Sequence, residues 1–157
     1  MSDYGLGWLA VLVLVLPLAG CGGGGPEVLR VEGVVEAAAD VNPDGAGQAA
    51  PVVARLYQLR NVGQFEGADF FSIYDDESAT LGQDLIAREE LRLRPGERTE
   101  FNSELPPDAK FLGVIAAFRD LDTAHWRAVA PLPESGLVDV RVDLKNTEIT
   151  LSATPAP

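Results

Sequence analysis

The chain has 157 residues, with 24 acidic and 12 basic side chains, one histidine, one cysteine and a formal net charge of -12. This length favours one domain, and the acidic balance argues against a nucleic-acid partner, because binding phosphates requires a surface rich in Lys and Arg. A single cysteine excludes an intramolecular disulfide framework and a zinc site built from several thiolates.

The chain begins with an apolar segment that has the size of an export signal. Residues 6–16 are apolar and are broken only by Gly7. Eleven helical residues span about 16 Å, well short of the hydrocarbon core of about 30 Å. We therefore interpret residues 1–20 as a signal peptide and not as a transmembrane helix.

The signal ends in four residues that resemble the lipobox of bacterial lipoproteins, namely Leu18, Ala19, Gly20 and Cys21. The resemblance implies that the Cys21 thiol receives S-diacylglycerol, that the signal is cut before Cys21, and that the new amine receives an N-acyl chain. Several acyl chains hold a protein stably at a membrane, whereas one does so only marginally. The alternative is an ordinary signal peptide cut at a small-residue site, which would leave Cys21 as a free thiol.

Residues 21–26 are then the lipidated cysteine and a tether, because four glycines and Pro26 follow Cys21. In similar lipoproteins an aspartate directly after the cysteine favours retention in the inner membrane. This chain has Gly22 there, which predicts a lipid anchor in the outer membrane, on its periplasmic face. The mature domain stays acidic and is unsuited to an anionic lipid surface, so its expected partner is a protein.

The next segments read as strands. Residues 28–41 alternate between apolar and polar side chains with period two, which is typical of a half-buried strand. Residues 42–48 are rich in turn formers, and residues 52–59 are apolar on both faces, which indicates an internal strand. Between residues 61 and 85 the spacing becomes helical, with Asp69 and Ser78 as predicted N-caps of a short insertion.

Strand patterns resume after the insertion and continue to the end of the chain. They predict strands at 87–93, 111–118, 126–130, 138–144 and 147–151, a short exposed strand at 99–102, and a two-residue hairpin turn at Lys145–Asn146. We expect a mainly all-β fold, an antiparallel β-sandwich of about eight strands with a short helical insertion, over residues 27–152. Residues 153–157 are expected to form a disordered tail.

Few residues are candidates for chemistry. His125 lacks an identifiable nucleophile, and Asp75, Asp76 and Glu77 lack the ligand spacing of a calcium loop. Asp120 and Asp122 flank a turn, where aspartate commonly binds backbone amides. We therefore predict no catalytic residue, no metal site and no cofactor other than the covalent lipid, and the chain is not expected to be an enzyme.

The aromatic residues of the insertion form the other cluster of interest. Phe65, Phe70, Phe71 and Tyr74 are most simply explained as packing of the insertion against the core. The alternative is a surface for a partner, because Phe and Tyr are enriched at interfaces.

Six segments of the mature chain resemble, in order, the type VI secretion lipoprotein family (TssJ, also called SciN or VasD). They are residues 41–44, 51–59, 65–70, 93–96, 112–120 and 124–127, and the similarity runs from about residue 34 to residue 133. The resemblance implies a transthyretin-like β-sandwich with no enzymatic role. It also implies an outer-membrane lipoprotein that binds the periplasmic C-terminal domain of the inner-membrane subunit TssM.

The resemblance also implies that the loop between the first two strands is important for binding the partner. Here that loop matches Asn42, Pro43, Asp44, Gly45, Ala46, Gly47, Gln48, Ala49 and Ala50. The loop has no aromatic or Arg side chain of the kind that dominates protein interfaces, which leaves room for neighbouring surface to contribute. The competing hypothesis is a lipid-anchored periplasmic protein that binds a small ligand or glycan in its sandwich.

Overall fold

The computed structural model describes residues 28–157, which form eight β-strands and a short helical segment. The strands are β1 (Leu29–Ala37), β2 (Val52–Leu59), β3 (Leu85–Leu93), β4 (Arg98–Leu105), β5 (Phe111–Ala116), β6 (Arg127–Pro131), β7 (Gly136–Lys145) and β8 (Glu148–Pro155). Between β2 and β3 lie the helices α1 (Gly63–Gly67), α2 (Phe70–Asp75) and α3 (Glu77–Leu81) and a 3₁₀ turn (Gly82–Asp84).

The strands form two four-stranded sheets that pack as a sandwich. One sheet, sheet A, has the order β4-β1-β7-β8, and the other, sheet B, has the order β3-β2-β5-β6. Neighbouring strands are antiparallel except β1 and β7, which run parallel with Leu29 opposite Gly136 and Ala37 opposite Leu144. The predicted β-sandwich with a short helical insertion is confirmed, and its antiparallel pairing holds for every neighbouring pair except β1 and β7. Side-chain alternation reports which face is buried, but it carries no information about strand direction.

The main core lies between the sheets, as the alternating patterns require. On β1 and β7 every second side chain is buried, and Val35, Ala37, Val142 and Leu144 are fully buried. β2 and β5 are internal strands of sheet B, as their apolar sequences predict, because each has a strand on both sides. They bury side chains on both faces because the helical insertion covers the outer face of their sheet.

The insertion packs over sheet B through a second apolar cluster. Its members are Tyr57, Leu59, Phe65, Phe70, Ile73, Leu81 and Ile115. Gly113 makes room for this packing, because a Cβ atom there would lie 2.7 Å from Cζ of Phe65. Asp69 caps α2 as predicted, with its Oδ1 accepting from the Ser72 amide at 3.0 Å. The predicted cap Ser78 is wrong: Asp76 caps α3, because the helix begins at Glu77 and its third amide reaches the Asp76 carboxylate at 3.1 Å.

Charged side chains also attach the insertion to sheet B. Arg55 donates to the Tyr74 carbonyl at 2.7 Å and to Glu90 at 2.9 Å. Glu77 accepts from Arg88 at 2.7 Å and from the Tyr57 hydroxyl at 3.1 Å. Burial raises the pKa of Tyr57 to about 12. Residues 75–77 therefore form a helix junction, and Glu77 belongs to a salt-bridge network.

Several boundaries differ from those predicted. The first strand ends at Ala37 and not at residue 41, and β5 ends at Ala116 and not at residue 118. β4 spans eight residues, twice the predicted length, and β8 continues through Pro155 into the segment expected to be a disordered tail, with Val138 opposite Pro155. The hairpin turn is Asn146–Thr147, one residue later than predicted, because Lys145 pairs with Glu148. The longer β4 and β8 are the edge strands of sheet A, where pairing to a neighbour holds the backbone although the sequence is polar or contains proline.

Candidate functional site

The loop expected to bind a partner, residues 42–50, lies in the β1–β2 connection, which spans residues 38–51. Three further connections lie at the same end of the sandwich, namely 94–97, 117–126 and 146–147, and we call this the loop end. Ala37 and Ala38 join the β1–β2 connection to two of its neighbours: the Ala37 amide donates to the Glu97 carbonyl, and the Ala38 amide to the Leu144 carbonyl, both at 2.8 Å. The loop therefore belongs to a continuous surface.

Asn42 fixes the base of the loop. It is the one buried polar residue of the described chain, 3% exposed, and it adopts a positive φ of 51°. Its Nδ2 donates to the Pro51 carbonyl at 2.7 Å, and its Oδ1 accepts from the Arg119 amide at 2.7 Å. Its backbone amide donates to the Asn146 carbonyl at 2.7 Å. One side chain thus closes its own loop and ties that loop to the β5–β6 connection.

Asp44 shapes the tip. Its Oδ1 accepts from the amides of Ala46 and Gln48, both at 2.9 Å, while its backbone amide donates to the Gln48 carbonyl at 2.9 Å. These backbone donors, that of Gln48 first, hold the pKa of the Asp44 carboxyl below its ordinary value. Gly47 takes φ of 79°, which glycine adopts without strain. The tip is therefore a turn closed by its own hydrogen bonds.

The nine predicted contact residues divide into two groups in the structure. Gly45, Ala46, Gly47 and Gln48 are exposed and form the tip, whereas Asn42 and Ala50 are buried and support it. Pro43, Asp44 and Ala49 are half-buried between the two groups. The tip presents small side chains and backbone groups and has no charge of its own, so a charged contact has to come from a neighbouring connection.

A charged side chain, that of Arg119, lies beside the tip in a cleft that the sequence did not predict. The cleft holds about 480 Å³ between Pro43, Asp44 and Gly45 on one wall and Arg119, Asp120 and Asn146 on the other. Arg119 was part of the segment that resembles the family, but no local pattern places it beside a loop that is 77 residues away along the chain. Only the pairing of β2 with β5 brings these connections together.

The predicted lipid attachment site, Cys21, lies outside the described residues, as do the three lipobox residues before it, Leu18, Ala19 and Gly20. The described chain enters β1 at Leu29, opposite Leu105 and Gly136. We call this end of the sandwich the tether end, and it is opposite to the loop end. No helix within residues 28–157 is long and apolar enough to cross a membrane.

The remaining candidates for chemistry are dispersed. His125 is exposed and forms an isolated bridge to Glu148, with Nδ1 3.8 Å from the Glu148 carboxylate. Asp120 accepts from the Thr123 hydroxyl at 2.8 Å and thus closes a local turn. Among residues 28–157, no group of three His, Cys, Asp or Glu side chains converges on a point where a metal ion could be held.

The aromatic residues of the insertion are mainly structural. Phe65 is fully buried and Phe70 is 6% exposed, and Phe70 stacks on Tyr74 with 5.1 Å between the ring centroids. Phe71 differs, because it is 60% exposed on the outer side of α2. The packing interpretation is therefore confirmed for Phe65, Phe70 and Tyr74, while Phe71 remains on the surface.

Comparison with protein families gives one match. The family model of type VI secretion lipoproteins, which includes VasD, EvfM and TssJ, matches residues 29–147. No curated protein sequence matches the chain.

Solved structures give strong matches. The crystal structure of the T6SS lipoprotein TssJ1 from Pseudomonas aeruginosa is 40% identical with a TM-score of 0.79, over 83% of this chain and 99% of that chain. The structure of Serratia marcescens Lip, a membrane-bound component of the type VI secretion system, is 28% identical with a TM-score of 0.73, over 78% of this chain and 96% of that chain.

Two structures of larger systems also contain a similar chain. One chain of the type VI membrane complex is 27% identical with a TM-score of 0.67, over 82% of this chain and 99% of that chain. One chain in the structure of the TssM C-terminal domain from EAEC is 26% identical with a TM-score of 0.65, over 78% of this chain and 97% of that chain.

Proposed function

The chain belongs to the type VI secretion lipoprotein family, and from this membership we propose how it links the outer membrane to a TssM-like subunit. As a family member it is a structural, membrane-bound lipoprotein of the type VI membrane complex, which contains TssM, and it is not an enzyme. Beyond this, we propose that lipid on Cys21 anchors it to the periplasmic face of the outer membrane. Its β1–β2 loop, residues 42–50, then docks the periplasmic C-terminal domain of the TssM-like subunit.

The observation that carries the proposal is the separation of the two ends of the sandwich. The chain enters from its amino-terminal side at Leu29, while the loop leaves β1 after Ala37. Eight steps of about 3.3 Å along a strand place these points about 26 Å apart. A domain held by its amino terminus at a membrane can therefore present the loop end to the periplasm, where a partner from the opposite membrane has access.

The ordered loop also supports docking. Asn42 and Asp44 hold the tip in one conformation through side-chain hydrogen bonds. Ordering a flexible loop would subtract from the binding free energy, so a loop that is already ordered binds more tightly for the same contacts. The exposed backbone of the tip and the adjoining cleft are suited to a protein partner.

Substitution at the tip tests the docking site. Ala46 is exposed, and Ala46→Arg adds a bulky side chain while keeping the backbone hydrogen bond to Asp44. We expect this variant to lose capture of the purified TssM-like periplasmic domain in a pull-down. Ala79→Arg is the matched control, because Ala79 is also exposed but lies on α3 of the insertion. Equal capture by wild type and Ala46→Arg would move the interface away from the loop.

Two substitutions near the proposed anchor test attachment and sorting. Cys21→Ser removes the thiol that lipid attachment requires, so labelling with radioactive palmitate and type VI secretion should both be lost. Gly22→Asp keeps the thiol but supplies the residue that favours the inner membrane in similar lipoproteins. We expect this variant to be labelled normally and to move to the inner-membrane fraction of a density gradient. Secretion that persists with Cys21→Ser would refute the need for the anchor.

A further inference from the structure

Arg119 is positioned by the same residue that positions the docking loop. It follows β5 and Phe118, which is 3% exposed, and its amide donates to Oδ1 of Asn42 at 2.7 Å. The backbone of Arg119 is thereby fixed relative to the β1–β2 loop, while its side chain is exposed beside the cleft. The geometry therefore fixes the backbone from which this cation extends, beside the loop tip.

The guanidinium of Arg119 has no hydrogen bond or ion pair with any described residue. The two acids that line the cleft make their hydrogen bonds elsewhere, because Asp44 accepts two backbone amides and Asp120 accepts the Thr123 hydroxyl. Arg119 acts on the Asp44 carboxylate only through space and forms no ion pair with it. The arginines of the outer face of sheet A are different. Arg98 and Arg141 lie 3.6 Å and 3.1 Å from the Glu36 carboxylate. Arg119 is thus available to bind an external anion, whereas Arg98 and Arg141 are already paired with Glu36.

The negative charge of the rest of the protein limits where an acidic partner can bind. The whole chain has a formal net charge of -12, so an acidic segment is repelled by most of its surface. At the loop end, Arg94 and Lys145 also make no side-chain ion pair with described residues, and both are exposed. The connections of the loop end also carry acids, among them Asp44, Asp120 and Asp122, so the attraction is local to the Arg119 guanidinium. A carboxylate of a partner is held at that point and is repelled by the acids around it, which restricts how the partner can dock.

We propose that Arg119 is the specificity-determining residue of the loop end, and that it binds a carboxylate of the TssM-like periplasmic domain in the cleft beside residues 43–45. The inference rests on the proposed docking function and names the partner chemistry of that surface. A planar guanidinium binds a carboxylate through two parallel hydrogen bonds, and arginine is among the residues that dominate interface affinity. This supplies the anchor that the loop tip itself lacks.

The test measures the affinity of the full-length lipoprotein in detergent for the purified periplasmic domain of the TssM-like subunit, by biolayer interferometry in low and high salt. Arg119→Gln removes the charge and Arg119→Glu reverses it, while the backbone bond to Asn42 remains. We expect Arg119→Gln to weaken binding by about tenfold and Arg119→Glu by more, with a smaller salt dependence for Arg119→Gln than for wild type. Arg119→Lys should retain part of the affinity.

Arg30→Gln is the matched control, because Arg30 is exposed at the tether end in a 3.2 Å pair with the exposed Glu104. It should bind as wild type does. If Ala46→Arg abolishes binding while Arg119→Gln and Arg119→Glu bind normally, the docking loop stands and the role of Arg119 is refuted. If wild type does not bind the domain at all, the proposed docking function fails and the inference fails with it. Unchanged thermal unfolding of the variants confirms that they are folded.

Discussion

Replacing Asn42 tests whether one side chain holds the loop end together. Asn42→Gly removes the bonds to the Pro51 carbonyl and the Arg119 amide, both 2.7 Å long in a part-buried setting. Each backbone group left without its hydrogen-bond partner costs about 1–3 kcal/mol, and the lower part of that range applies where water can reach the loop surface. For the two bonds together we expect the free energy of unfolding to fall by about 2–3 kcal/mol. Asn42→Ala adds the strain of a positive φ of 51°, about 1–2 kcal/mol more.

The two variants are compared by urea unfolding of a soluble form that begins at Gly22. Asn42→Ala should be less stable than Asn42→Gly, and both should be less stable than wild type. Asn102→Ala is the control, because Asn102 is exposed on β4 and should change the free energy of unfolding by no more than about 0.5 kcal/mol. If Asn42→Gly is as stable as wild type, the two hydrogen bonds do not stabilise the domain. If the glycine and alanine variants are equally stable, the backbone argument is wrong.

Three further predictions concern the insertion and its sheet. Gly113→Ala places a Cβ atom 2.7 Å from Cζ of Phe65 and should cost about 1–3 kcal/mol in urea unfolding, whereas Gly67→Ala has open space and should cost less. Phe70→Ala should cost about 3–5 kcal/mol, but the exposed Phe71→Ala no more than about 0.5 kcal/mol in the same assay. Burial raises the pKa of Tyr57 from 10.0 to about 12, so the folded state favours the neutral hydroxyl. The stability that this shift contributes is complete below pH 10 and is lost as the pH rises towards 12. Tyr57→Phe should remove that part of the alkaline dependence of the unfolding free energy, and an unchanged dependence would contradict the assignment.

The sequence predicted the sandwich well where burial is periodic. The apolar faces of β1 and β7 and the two-sided burial of β2 and β5 follow from side-chain alternation, because a strand exposes successive residues on opposite faces. Asp69 was recognised as a cap from its position before Phe70. Prediction failed at strand ends. Pairing partners hold polar residues of β4 and β8 in strands, and β1 ends at Ala37 although the alternation continues to residue 41.

The sequence by itself determined the class of fold, the family and the expected attachment at Cys21, because these depend on local patterns and ordered short segments. The tertiary structure alone decided the parallel pairing of β1 with β7 and the gathering of four connections at one end. It also decided that Asn42 and Arg119, far apart in the chain, are in contact, and that the chain enters at the end opposite the docking loop. Such relations depend on strand order and direction, and side-chain patterns within single strands do not encode them.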